Sequence, residues 1–277
     1  MKSWSVSLIL LFVFFGCATN PFTGKKTLAF VSDDDLFPMA FAQYDQVLEE
    51  SKVVKGTSEA DMIMRVGERI ASAAKRWLNA NGYQGYLDDY KWEYSLIDSD
   101  QVNAWCLPGG KIAFYTGILP IAENETGVAI IMGHEVAHAL ANHGQQRMSK
   151  GMLQQVGAGA VAVATSAETV EEQQLYMAAY GLASTYGFMY PYSRKHETEA
   201  DKIGLIISAI AGYNPDEAPR LWSRMKANSG GEAPSEFFST HPSNDNRIME
   251  LRNLAPTAKS EAAKFGVTSF RPINSFQ

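Results

Sequence analysis

Gly133-His134-Glu135-Val136-Ala137-His138 places two imidazoles and one carboxylate close together in the chain. Residues four apart share one face of a helix, so His134 and His138 can direct ring nitrogens at a single ion. Glu135 is rotated by about a third of a turn, which leaves its carboxylate beside that ion to take a proton from a bound water. The H-E-x-x-H spacing therefore predicts a hydrolytic zinc site on a helix.

Length and composition are those of a folded protein. The chain has 277 residues, of which 46% are hydrophobic and 19% are charged, so it can bury a sizeable core as one globular domain. Its net charge is -6, and lysines and arginines form no continuous stripe. A nucleic-acid partner is therefore not expected.

The N-terminal segment has the pattern of a secretory signal. Lys2 precedes an apolar run, Val6 to Phe15, and Gly16 precedes Cys17. This resembles a bacterial lipobox, although Phe14 and Phe15 depart from it, and an ordinary cleaved signal or an uncleaved anchor is the alternative. The pattern predicts a lipidated Cys17 on the periplasmic side of the outer membrane of a Gram-negative cell. The predicted domains are 1–16 signal peptide, 17–38 lipid tether and N-terminal segment, and 39–277 peptidase domain.

Periodicity predicts the elements that surround the motif. Apolar residues recur at helical spacing in 39–54 and 58–80, and three short β-branched or aromatic runs predict strands at 92–97, 102–107 and 111–115. Pro108-Gly109-Gly110 predicts a hairpin turn between the last two. Asn124 can cap a helix that runs past His143. The small apolar residues of 151–165 favour a packed helix over a membrane span.

A catalytic zinc needs a third protein donor. The metzincin pattern is absent, because Ala141 and Gly144 stand where it has glycine and histidine, so His143 is a weak candidate. In a predicted helix 193–210, Glu197 and Asp201 lie four apart on one face. Glu197 could bind the metal while Asp201 accepts the far N–H of a ligand histidine. A solvated acidic face and the neighbouring donor His196 are the alternatives.

Four ordered motifs give the chain a family resemblance. They are Asn103-Ala104-Trp105-Cys106-Leu107-Pro108-Gly109-Gly110, the His134 helix, Glu197 to Asp201, and Ser239-Thr240-His241-Pro242 with Arg247. The chain resembles zinc metallopeptidase family forty-eight, which includes the heat-shock protease HtpX, the CAAX prenyl endopeptidase and the Oma-type proteases. It is most similar to the non-spanning lipoprotein members. The resemblance implies an α+β, predominantly helical, zincin-like (gluzincin) domain with a small sheet beside the active-site helix.

The resemblance also implies roles for individual residues. Glu197 is the third zinc ligand, Asp201 supports a ligand histidine, and His241 with Arg247 stabilises the transition state. With Glu135 as the base, the chain would bind one zinc ion and cleave unfolded or misassembled cell-envelope proteins. An extended substrate could pair with the strand at Asn103, Ala104 and Trp105.

Two other functions compete with the peptidase. An envelope chaperone or assembly factor with a non-catalytic zinc site would bind envelope proteins without cleaving them. A thiol protease acting through Cys106 is the third reading, because a lone cysteine near a histidine can be a nucleophile. The complete set of two histidines, a carboxylate donor and Glu135 favours the metallopeptidase, since a structural site needs no base.

Overall fold

The computed structural model describes residues 17–184, 190–228, 237 and 240–276. The predicted signal peptide, residues 1–16, and Ser239 lie outside these residues. The chain forms two compact units, one of residues up to Leu36 with Asn142–Glu197 and the other of Phe37–Ala141 with Thr198–Gln277. The fold is α+β and predominantly helical, with a small sheet, as predicted. Its elements, in chain order, are β1 (Cys17–Thr19), β2 (Lys26–Leu28), α1 (Asp33–Glu49), β3 (Val53–Val54), α2 (Ser58–Ala80), β4 (Glu93–Ile97), β5 (Ala104–Leu107), β6 (Lys111–Tyr115), α3 (Leu119–Ala122), α4 (Glu125–Leu140), α5 (His143–Ala164), α6 (Val170–Ser184), α7 (Tyr190–Ile210), α8 (Glu217–Asn228) and α9 (Asp245–Lys264).

The larger unit contains a four-stranded sheet in the order β3-β4-β6-β5. Strands β4 and β6 run parallel, whereas β3 pairs antiparallel with β4 and β5 pairs antiparallel with β6. The predicted hairpin is confirmed: Gly109 and Gly110 have φ values of 82° and 92°, which glycine adopts without strain. Strand β5 is last in the order, so one of its edges pairs with no other described strand.

Helix α1 precedes the first strand of this sheet, β3, and helix α2 connects β3 to β4. Helix α2 spans the predicted residues, because the Thr57 hydroxyl accepts from the amide of Ala60 and the Tyr83 amide donates to the Leu78 carbonyl at its end. Helix α1 begins at Asp33, earlier than predicted, since the Ser32 hydroxyl accepts from the amide of Asp35. Val53–Val54 was predicted as helix but pairs with β4, as β-branched residues do.

Helix α4 begins where predicted and ends earlier. The Asn124 carboxamide oxygen accepts from the Gly127 amide at 2.8 Å, and every residue from Thr126 to Leu140 is buried. The prediction that this helix continues past His143 is wrong. Asn142 has the left-handed φ of 57°, which an α-helix of L-residues cannot contain, and a new helix starts at His143.

The smaller unit pairs β1 with β2 and carries the hairpin of α5 and α6. The Phe30 amide donates to the Ser149 hydroxyl at 2.9 Å, and the Gln145 carboxamide donates to the Val31 carbonyl at 2.7 Å, so residues after β2 lie beside the first turns of α5. The Tyr180 hydroxyl of α6 donates to the Gln154 carbonyl of α5. Residues 151–164 form a helix, one residue shorter than predicted, but none of residues 151–181 is buried. Among the described helices, none is both long and apolar enough to cross a membrane.

Candidate metal centre

The histidines of the H-E-x-x-H motif lie one turn apart on α4, with their Nε2 atoms 3.1 Å from each other. The side chains of His134 and His138 are only 3% and 9% exposed. Two imidazole nitrogens held this close inside the protein face a common point. That geometry is expected when both donate lone pairs to one cation.

Glycines bring α4 and α7 together behind these histidines. A Cβ on Gly204 would stand 2.6 Å from the carbonyl oxygen of Gly133 and 2.7 Å from the His134 amide nitrogen. The Ser208 hydroxyl of α7 donates to the Ala129 carbonyl of α4 at 3.0 Å. Only residues without a side chain permit this backbone approach, so Gly133 and Gly204 fix the separation of the two helices.

Asp201 orients His134 from helix α7. Its Oδ1 lies 2.9 Å from His134 Nδ1, so a proton on Nδ1 is held there and Nε2 keeps its lone pair for a metal. Burial opposes the charge on Asp201, but the Arg247 guanidinium and the hydrogen bond from His134 outweigh it and hold the pKa of Asp201 below its usual value. Asp201 thus contacts His134 on the ring nitrogen that faces away from His138, and its role as the partner of a ligand histidine stays a prediction.

Arg247 reaches Asp201 with two nitrogens of its guanidinium group. Nε donates to Asp201 Oδ2 at 2.8 Å and Nη2 donates to Oδ1 at 2.7 Å, a bidentate geometry. The guanidinium carbon stands 3.5 Å from the centre of the Trp222 ring, and Nη1 donates to the Pro242 carbonyl. Arg247 therefore supports the site through Asp201 and through the backbone just after His241.

Four side chains offer donor atoms to one position. The ligand atoms of His134, His138, Glu197 and His241 all lie within 4.8 Å of one another. Imidazole nitrogens and a carboxylate oxygen are the donors of tetrahedral zinc sites, so the residues present fit a divalent metal. Glu197 thus faces the histidine pair, as the spacing of the α7 motif suggested.

His241 lies beside both His134 and Glu135. Its Nδ1 lies 3.1 Å from His134 Nε2, and its Nε2 lies 3.5 Å from Glu135 Oε1. The His241 amide donates to the Phe237 carbonyl at 2.8 Å. Sequence reasoning named this residue but not as a possible donor, because no local spacing links it to residues more than a hundred positions earlier.

His143 and His196, the alternative donors, lie outside this group. Their rings stack with centroids 3.9 Å apart and planes 9° apart, and His196 Nε2 lies 3.3 Å from the side-chain oxygen of Gln146. Burial, followed by the positive neighbours His143, Arg147 and Lys150, lowers the pKa of His196 to about 2. Both side chains are buried in the smaller unit, so the stacked pair has a structural rather than a metal-binding environment.

Cys106 does not have the environment of a nucleophile. Burial, together with the charge of Glu135, raises the pKa of its thiol well above the usual value. A reactive cysteine needs a thiolate, which positive neighbours favour and this position opposes. This environment disfavours the thiol protease alternative.

The predicted substrate strand borders the motif helix, since β5 packs against α4. Asn103 is buried, and its carboxamide oxygen accepts from the Ala104 amide. The Trp105 indole donates to the Tyr115 hydroxyl at 3.3 Å, and its ring meets Tyr44 edge to face. These contacts hold β5 rigidly at the end of the sheet.

Comparison with known proteins identifies the family of the chain. The family model described as Peptidase family M48 matches residues 60–255. The mitochondrial metalloendopeptidase OMA1 of Schizosaccharomyces pombe is 34% identical over 192 residues, which cover 69% of this chain and 53% of that protein. OMA1 of Saccharomyces cerevisiae is 36% identical over 180 residues, 62% of this chain and 49% of that protein. The chain spans about half the length of these relatives.

A bacterial relative is more distant. The β-barrel assembly-enhancing protease of Escherichia coli is 29% identical over 172 residues, covering 58% of this chain and 34% of that protein. The mitochondrial relatives contradict the predicted location on the outer membrane of a Gram-negative cell. That prediction is wrong because it rested on the apolar run from Val6 to Phe15 followed by Gly16 and Cys17, and such a short N-terminal pattern does not by itself identify a compartment.

Proposed function

The chain belongs to peptidase family M48, and from this premise we propose that it is a zinc-dependent endopeptidase that hydrolyses unfolded or misassembled proteins. The observation that carries the proposal is the position of Glu135. It is buried beside the group of two α4 histidines, Glu197 and His241. A base next to a metal donor set is required for hydrolysis and is superfluous in a structural site.

One zinc ion per chain suits the donors, with His134, His138 and Glu197 as its ligands. When bound, zinc supplies a polarised scissile carbonyl and a water whose pKa is lowered toward neutrality. Glu135 would take a proton from the attacking water and deliver it to the leaving amine as the peptide C–N bond breaks. Asp201 keeps the proton of His134 on Nδ1 throughout, which holds the ring in its ligand orientation.

Substrate binding is proposed at the edge of β5. An extended peptide adding to this edge at Asn103, Ala104 and Trp105 would be held mainly by backbone hydrogen bonds, close to α4. Backbone recognition implies a loose sequence preference, which suits unfolded chains. Cell-envelope proteins as the substrates remain a narrower prediction, supported by the name of the Escherichia coli relative. Lipidation of Cys17 also stays a prediction.

Replacing Glu135 by glutamine tests the peptidase. We expect Glu135→Gln to keep its metal, measured by elemental analysis, and to cleave casein about 10²- to 10⁴-fold more slowly. Glu68→Gln, at an exposed position of α2, is the matched control and should retain full activity. Full activity in Glu135→Gln would eliminate the proposal.

The position of His241 favours a second candidate, a chaperone or assembly factor with a non-catalytic zinc site. Four protein donors complete a tetrahedral shell, as structural zinc sites do. That candidate predicts prevention of aggregation by both wild type and Glu135→Gln, without cleavage by either.

His241→Ala separates the two roles of this histidine in the peptidase. If His241 stabilises the oxyanion, casein cleavage falls about 10²-fold or more. If His241 mainly occupies the fourth coordination position of the metal, its removal leaves that position to water, and the cleavage rate stays the same or rises. The measurement is the cleavage rate per bound metal.

A further inference from the structure

Helices α8 and α9 pack against each other and line a cavity of about 260 Å³ in the larger unit. Each helix contributes residues that share one face, because they are three or four positions apart. The lining residues are Asp216, Pro219, Arg220, Ser223, Arg252 and Ala255. None of them is among the candidate metal donors, so this cavity is separate from the metal centre.

Two guanidinium groups line this cavity without a protein counter-charge. Arg220 comes from α8 and Arg252 from α9, and both residues are exposed. Within the part of the chain that the structure describes, neither forms a hydrogen bond or an ion pair. Arg65, Arg224 and Arg247, in contrast, each pair with a carboxylate. Two like charges that face one cavity repel each other, and an anion between them removes that repulsion.

The other polar groups of the cavity are already satisfied. Lys259 of α9 donates to the Asp216 carboxylate, which neutralises the acidic member of the lining. The Ser223 hydroxyl donates its proton to the Pro219 carbonyl at 2.8 Å. The two arginines and Lys259 bring three positive charges against the one negative charge of Asp216, so the surroundings keep a formal charge of +2. The cavity therefore attracts an anion, although the whole chain has a net charge of -6.

We propose that this cavity binds a phosphate group, either as inorganic phosphate or as the phosphoryl end of a small phosphate ester. A guanidinium group presents parallel N–H donors that match two oxygens of one anion. A carboxylate has only two oxygens, which a single arginine can occupy. A phosphate monoester has three terminal oxygens and a charge of about −1.5 to −2 near pH 7, so it can bridge Arg220 and Arg252.

The size of the cavity fits the same ligand. Sites for drug-sized molecules have volumes of roughly 300–1,000 Å³, and this cavity, at about 260 Å³, is smaller. The two buried residues of the lining, Pro219 and Ala255, are apolar and offer a surface to a short carbon chain. A phosphoryl group with a few carbon atoms therefore fits, whereas a whole nucleotide does not.

A bound phosphate would tie α8 to α9. These helices also meet where the Arg247 guanidinium carbon of α9 stands 3.5 Å from the ring centre of Trp222 on α8. A ligand that binds the folded chain alone stabilises it, and the gain rises with the ligand concentration. The thermal midpoint of the full chain therefore reports occupancy of the cavity without any measurement of peptidase activity.

Titration with inorganic phosphate and with glycerol phosphate tests the site, at an ionic strength held constant with chloride. At about 10 mM of the ligand that fits, we expect a thermal midpoint about 2–4 °C higher. Acetate at the same concentration should change it by less than about 1 °C, because it cannot bridge the two arginines. A larger shift with glycerol phosphate supports an ester as the ligand, and a larger shift with inorganic phosphate supports the free ion.

Substitution of the two arginines locates the ligand. Arg220→Gln with Arg252→Gln should weaken phosphate binding at least about tenfold, as measured from the ligand dependence of the thermal midpoint. Arg69→Gln with Lys75→Gln removes the same charge from exposed positions of α2 and should bind phosphate as wild type does. Arg220→Lys with Arg252→Lys keeps the charge but loses the planar donor pairs, so binding should be at least about threefold weaker. Because all four positions are exposed, circular dichroism spectra should stay the same.

Three outcomes overturn the proposal. The first is equal stabilisation of wild type and the glutamine variant of Arg220 and Arg252 by phosphate, which would place the ion elsewhere, for example on a bound metal. The second is equal stabilisation by acetate and phosphate, and the third is no stabilisation by either phosphate compound. None of these outcomes bears on the proposed peptidase, because Glu135 and the candidate metal donors are not part of the cavity.

Discussion

Helices α4 and α5 follow each other in the chain and are both rich in alanine, glycine and valine, yet their surroundings are opposite. Every residue of α4 from Thr126 to Leu140 is buried, whereas residues 151–164 of α5 contain none that is. Helix α4 packs against β5, α2, α3 and α8, while α5 contacts α6 and β2. Apolar composition therefore predicts a helix in both places, and only the number of neighbouring elements decides burial.

The two helices also use glycine differently. At Gly133 of α4 a Cβ would stand 2.8 Å from the Gly204 carbonyl oxygen, while a Cβ at Gly159 of α5 would meet nothing within 4 Å. In α4 the missing side chain makes room for α7 and so places Asp201 beside His134. In α5 the glycines differ among themselves: Gly157 makes room for the Tyr180 side chain of α6, whereas Gly159 makes room for no described residue.

The largest loss of stability is expected when the buried ion pair between Asp201 and Arg247, beside α4, is broken. Asp201→Asn leaves the Arg247 guanidinium without its carboxylate and weakens the orientation of His134. We expect a loss of about 3–5 kcal/mol in the free energy of unfolding and metal binding about 10- to 100-fold weaker. Urea unfolding and chelator competition measure the two quantities.

An exposed ion pair supplies the control for this variant. Lys226 donates to Asp245 at 2.7 Å with both side chains largely in solvent. Asp245→Asn should cost less than about 1 kcal/mol. Equal losses in the two variants would show that the site around α4 is no more desolvated than the surface.

A pair of glycine substitutions compares the two helices directly. Gly133→Ala should destabilise the protein by about 2–3 kcal/mol, because the added methyl group meets backbone that cannot move away. Gly159→Ala should stabilise α5 by about 0.5–1 kcal/mol, since alanine loses less backbone entropy in a helix. Urea midpoints and amide exchange of the two helices test this, and a destabilising Gly159→Ala would mean that the hairpin is covered by protein.

The smallest effect concerns Lys150 at the base of the hairpin. Burial, with the charge of Lys195, lowers the pKa of Lys150 from 10.5 to about 8. A lowered lysine pKa means that the charged form is disfavoured in the folded state, so wild type gains stability as pH rises from about 8 to about 10.5. Lys150→Met should be the more stable protein at pH 7, and its advantage should shrink toward pH 10.5.

Urea midpoints at pH 7, 8.5 and 10 measure this difference. Lys226→Met, which removes an exposed lysine, is the control and should show no such trend. A constant difference between Lys150→Met and wild type across this range would rule out a burial penalty on the charge.

Several features could be predicted from local sequence alone. The cap at Asn124, the strands and the Gly109-Gly110 turn follow from residues within a few positions of one another. Helix α7, which carries Glu197, could also be predicted, because Glu197 and Asp201 are four residues apart, as on one face of a helix. Two predicted helix ends were wrong. Val53–Val54 pairs with a strand that is distant in sequence, and Asn142 has a left-handed backbone conformation that ends the helix.

The sequence by itself determined that His134 and His138 share one face with Glu135 beside them, because helical periodicity acts over single turns. Tertiary structure alone decided that His241 lies with the other candidate donors, that Arg247 reaches Asp201 with two nitrogens, and that the part of the chain that the structure describes buries none of residues 151–181. Those facts depend on which elements pack together across long separations in the chain. Such packing is set by the whole folded chain, and no local pattern encodes it.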